Sequence, residues 1–132
     1  MKNLIQEEKI HHIYQLGIRG PQDKWDMKSD KLTILFGKSF KNIPIDPTLP
    51  TYITFDVDVF DPSIVPSVGY PVPNGWLYKD FLVFIKLFVN NTNVIGLDIV
   101  EYNKMYDWGN RIGASTVTHA ILDLLVGVMD KK

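Results

Sequence analysis

Asp56 and Asp58 stand one residue apart at the end of an apolar, β-branched run, "TYITFDVDVF" over 51–60. If that run is a strand, side chains two apart point the same way. Thr54, Asp56 and Asp58 then share one face, with the two carboxylates about 7 Å apart along the strand. Such anions repel each other and resist burial. A hard divalent cation answers both difficulties, because carboxylate oxygens suit magnesium, calcium or manganese. The plain alternative is a strand end in water, with Asp58 and Asp61 solvated and Asp61-Pro62 forming a turn. A loop follows in which Pro62, Pro66, Pro71 and Pro73 each fix φ, while Gly69 and Gly75 permit tight turns. Such a stiff connector is what carboxylates held in metal geometry need, although prolines and glycines also make ordinary loops.

The elements that must position these residues can be read from pattern. "IYQLGIRG", 13–20, is a short strand ending in a glycine-flanked turn, and "PQDKWDMKSDKL", 21–32, could begin a helix at Pro21. "TILF", 33–36, suggests a strand, and "NIPIDPTLP", 42–50, a proline-punctuated connection. "YITFDVDVF" is β-branched and aromatic enough for a firm strand. In "WLYKDFLVFIKLFVNN", 76–91, Leu77, Phe81, Phe84 or Ile85, and Phe88 recur at helical spacing. "NVIGLDIVEYN", 93–103, is a buried-type strand, and "RIGASTVTHAILDLLVGVM", 111–129, a closing helix. Strands alternating with helices predict an α/β fold, a parallel sheet with helices on its faces. Residues 1–132 make one domain, or part of one.

Composition narrows the partners. With 45% apolar and 22% charged residues and a net charge of −1, the chain is globular and carries no basic footprint for nucleic acid or an acidic membrane. The absence of cysteine excludes disulfides and thiolate zinc sites. The N-terminus mixes charges through its apolar residues, unlike a signal peptide. The apolar run "FLVFI" is separated from "LFV" by Lys86 and is too short to span a bilayer. A cytoplasmic protein without membrane or nucleic-acid partners is expected.

A D-x-D pair alone is not specific. Haloacid-dehalogenase-like phosphatases use one with an aspartate nucleophile, but they need a later lysine and acidic cluster that "GLDIVEYNK" supplies poorly. The longer pattern resembles the ureohydrolases: arginase, agmatinase, formiminoglutamase and guanidino-acid hydrolases. Their signature is matched by Thr54, Phe55, Asp56, Val57, Asp58, Pro62, Pro66, Ser67 and Gly75 at every spacing, by Asp98, Glu101 and Asn103 in "GLDIVEYN", and by the "GIRG" turn at 17–20. The resemblance implies an arginase-like three-layer parallel sheet with helices on both faces, and a binuclear manganese (Mn2+) centre. By motif position Asp56 would bridge the two ions and Asp58 would ligate one. Thr54 and Asp98 would support them from behind, and Glu101 would recognise a substrate guanidinium or amidine. The implied reaction is hydrolysis of a linear guanidine or amidine C–N bond.

The family's other ligands come from a Gly-Gly-Asp-His and an Asp-Ala-His-x-Asp motif, and neither is present. The three histidines, His11, His12 and His119, lack the aspartate neighbours that would mark them as substitutes. The match is therefore to the C-terminal half of the fold, a partial domain. Ser67, Tyr70 and Lys104 also depart from the usual residues. A sheet so truncated should expose an unpaired edge and associate with an N-terminal half or with itself. Two readings compete: a ureohydrolase segment completed by a partner, and an inactive member with a structural or interaction role.

Overall fold

The computed structural model describes residues 2–20, 29–38, 40, 43–44 and 46–130. The helix expected to begin at Pro21 lies outside the described residues. Seven regular elements follow one another: α1 (Lys2–Gln6), β1 (Ile13–Ile18), β2 (Leu32–Phe36), β3 (Pro50–Asp56), α2 (Tyr78–Leu87), β4 (Asn93–Val100) and α3 (Ile112–Met129). From β3 onward strand and helix alternate as read from the sequence, and the pairings are parallel. β1 pairs with β2, and β3 with β4. Among the described residues these form two separate two-stranded ladders, so each strand keeps one edge without a strand neighbour.

The β3–β4 ladder carries the core. Its register sets Ile53 opposite Leu97, Thr54 opposite Asp98, Phe55 opposite Ile99 and Asp56 opposite Val100. The register shifts between Thr51 and Tyr52, leaving Ile95 as an extra residue that is exposed. That bulge resets the alternation, so Val94 also packs on the core with Ile53, Phe55 and Ile99.

α2 delivers Phe81, Phe84 and Ile85 to this face, and the Phe55 and Phe81 rings meet at 5.2 Å. The helix begins where Asp80 reaches back to accept the Leu77 N–H at 2.9 Å, a bond available only in the first helical turn. α3 buries Gly113, Val117, Ala120, Leu124 and Gly127 on the same core. By length and composition α3 could cross a membrane, yet this small-residue stripe packs it against α2. Its N-terminus is held from outside the helix: Asp107 accepts the Gly113 N–H at 3.2 Å, the Ala114 N–H at 2.7 Å and the Tyr102 hydroxyl at 2.8 Å. Because α2 and α3 share one side of the ladder, the side bearing Tyr52, Thr54, Asp56 and Asp98 is partly open.

Candidate active site

Asp56 is the last residue of β3, and the chain turns immediately into a single 3-10 turn, Val57–Val59. The continuous strand face expected to hold both aspartates therefore ends one residue early. Thr54 and Asp56 share it, whereas Asp58 lies within the turn. The cause is local. The Asp56 Oδ1 accepts the Asp58 N–H at 3.0 Å, which caps the turn and bends the backbone away from the ladder. Val57 and Val59 are buried by the same turn. The turn brings the charge of Asp58 to bear on the Asp56 carboxyl.

That proximity has an electrostatic signature. Burial first, then the charges of Asp58 and Glu101, push the Asp56 carboxyl up to about 6, against the opposing pull of the Asp58 N–H. Glu101 follows β4 directly and has φ +67, a left-handed conformation that a glutamate rarely adopts. It is exposed and, with Gly69, Tyr102, Asn103, Lys104 and Met105, lines an open cleft of about 470 Å3. Neither Asp56 nor Asp58 lines that cleft, although the charge of Glu101 acts on Asp56. Lys104 does share the cleft with Glu101.

Thr54 and Asp98 face each other across the β3–β4 register. The Tyr52 hydroxyl donates to one Asp98 oxygen at 3.2 Å, and the other oxygen is buried with no hydrogen-bond partner among the described residues. Two of the histidines have hydrogen-bonding partners of their own. His12 Nε2 lies 2.9 Å from the Thr33 hydroxyl, and His119 Nδ1 lies 2.8 Å from the Ser115 carbonyl, one turn earlier in α3.

The proline-rich loop is shut at its base by Asp61, which is not merely a solvated turn residue. Its Oδ1 accepts the Ser63 N–H and hydroxyl at 3.0 and 2.6 Å, and its Oδ2 accepts the Gly75 N–H at 3.1 Å. Hydrogen bonds from Asp61 N–H to the Trp76 carbonyl (2.9 Å) and from Trp76 N–H to the Val59 carbonyl (2.8 Å) complete the closure. A Cβ on Gly75 would collide with backbone atoms of Phe60 and Asp61, so glycine is required there. At the far end the Asn103 N–H donates to the Ser67 carbonyl at 2.8 Å, tying the loop to the Glu101 segment.

Asp56 and Asp58 fit part of an oxygen-donor set for one hard cation. Among the described residues no third histidine or acidic side chain joins them, so they do not make a two-ion centre by themselves.

Comparison with known proteins decides the family. A model of the arginase family matches residues 1–127. The chain belongs to the arginase family. An agmatinase from Chromobacterium violaceum is 37% identical over 83 residues, covering 63% of this chain and 25% of that protein. An agmatinase from Salmonella paratyphi B is 29% identical, covering 92% of this chain and 41% of that one. The crystal structure of a putative agmatinase from Clostridium difficile superposes with a TM-score of 0.67 at 30% identity, over 89% of this chain and 45% of that one. The chain thus spans less than half the length of these relatives, and its α/β architecture is a partial arginase-type domain.

Proposed function

We propose that this chain is the C-terminal part of a manganese-dependent ureohydrolase of the agmatinase or arginase type, which hydrolyses a linear guanidine or amidine C–N bond. In this reading Asp56 and Asp58 are manganese ligands, Thr54 and Asp98 stand behind them, and Glu101 binds the cationic nitrogens of the substrate. The observation that supports it is the arginase-family match over residues 1–127 together with the β3–β4 register, which sets Asp56 opposite Val100, the residue before Glu101. A carboxylate suits a planar, forked cation, since two parallel N–H···O bonds fix both its plane and its position. Bound manganese would supply Lewis-acid polarisation and an activated water. The chain's own residues hold donor oxygens in place and orient the guanidinium.

The remaining ligands would come from an N-terminal half or a second copy, docking on the strand edges and the open ladder face. The test is complementation. Mixed with the N-terminal region of the Salmonella paratyphi B agmatinase and manganese, the chain should release urea from agmatine or arginine, and Glu101→Ala should abolish release. Two manganese ions bound to the pair without turnover would defeat the proposal. A second reading, an inactive member with an interaction or structural role, is favoured by the lack of a third converging ligand among the described residues. It requires weak binding of a single ion and no turnover with any complement.

A further inference from the structure

Arg19 lies just beyond the end of β1, on the other ladder, yet its guanidinium reaches the aspartate-bearing turn. One terminal nitrogen donates to the Gly17 carbonyl at 3.1 Å and to the Val59 carbonyl at 3.0 Å, and the other donates to the Asp58 carbonyl. A planar fork with fixed donor directions can hold two successive carbonyls at once, which an ammonium cannot reproduce. The positive charge is spent on backbone oxygens and leaves both aspartate carboxylates free of an ion pair with it. Gly17 makes the reach possible. Its φ is +75, the β1–β2 register shifts at that point, and a Cβ there would collide with the Val59 side chain and press on the Trp76 ring at 3.2 Å. The glycine therefore admits Val59 and Trp76 against β1, and the arginine two residues later grips the turn that follows β3.

We propose that Arg19 is a positioning residue: it clamps the Val57–Val59 turn across the two ladders and so sets the geometry of Asp56 and Asp58. Its meaning for ion binding rests on the function proposed above, whereas the clamp itself does not. A side chain that only added general stability would lower protection everywhere, while a clamp lowers it at the turn.

The experiment is amide hydrogen exchange by NMR on the metal-free chain, with manganese titration as a separate arm. In Arg19→Met, exchange at the Asp58 and Phe60 amides should rise about tenfold or more, since hydrogen bonds from a charged donor are lost, while Ala120 and Leu124 in α3 keep their protection. Arg19→Lys should loosen the turn to an intermediate degree, and methylguanidinium added to Arg19→Ala should restore protection at the turn. Turn protection unchanged in Arg19→Met, or fully preserved in Arg19→Lys, would overturn the clamp. If Arg19→Met proves too unstable to study, the lysine variant and the rescue decide alone. Should the wild-type chain bind no manganese while Arg19→Met loosens the turn, the clamp stands and the ligand role of the aspartates falls. If both hold, manganese affinity should drop about tenfold in Arg19→Met.

Discussion

Replacing Asp56 by asparagine should stabilise the metal-free protein at neutral pH. The substituted amide would keep an Oδ1 acceptor in the place that now holds the Asp58 N–H at 3.0 Å, so the turn survives, while the half-buried negative charge is removed. The rise of this carboxyl from an ordinary 3.8 to about 6 converts, at about 1.4 kcal/mol per tenfold in proton affinity, to an upper bound of about 3 kcal/mol. Because the group is only half buried, solvent screening reduces that to about 1 kcal/mol. The pH dependence fixes the sign. The native state binds this proton more tightly than the unfolded chain, so the wild type gains stability as pH falls from about 6 towards 4 and loses it as pH rises through that window. Asp56→Asn has no such dependence at this position. The variant should therefore be more stable than wild type at pH 7.5, with a midpoint about 3–5 °C higher, and the gap should close near pH 4. Thermal unfolding in chelator at both pH values measures it. A variant less stable than wild type at pH 7.5, or a gap that does not shrink on acidification, would refute the electrostatic reasoning.

Other substitutions probe the scaffold. Gly75→Ala drives a Cβ into the backbone of Phe60 and Asp61 and should cost roughly 2–4 kcal/mol in denaturant unfolding. Phe81→Ala empties a fully buried position ringed by Phe55, Phe60, Tyr78 and Phe84, and should cost about 3–5 kcal/mol by the same assay. Glu101→Gly relieves the left-handed backbone and should stabilise the chain by about 1 kcal/mol while removing urea release from the complemented pair. Stability and activity moving in opposite directions at one residue would mark it as strained for function. A fall in both would mark it as structural.

Much of this architecture was legible in the residues. The two-residue period running up to Asp56 and the helical spacing of Phe81, Phe84 or Ile85, and Phe88 mark β3 and α2, because both bury one face on the same core. Three things were not legible. β3 stops at Asp56 because a side-chain cap competes with strand extension, and alternation counting is blind to that competition. Ile95 is an extra residue whose presence shows only when the partner strand's register is known. Arg19 was visible only as part of a motif, since its role depends on a contact 39 and 40 residues away in sequence. Asp61 could have been anticipated: an aspartate two residues before a serine is a common side-chain turn, and Gly75 lies where the loop must close.

The central claim is that Asp56 and Asp58 are donors held ready for a cation whose other ligands lie outside this chain. Paramagnetic broadening by substoichiometric manganese tests it directly. Amide signals of Val57 to Phe60 should vanish first, and the effect should be lost in a variant carrying Asp56→Asn and Asp58→Asn. Uniform broadening over the surface carboxylates, or broadening at the turn that survives the double substitution, would contradict it.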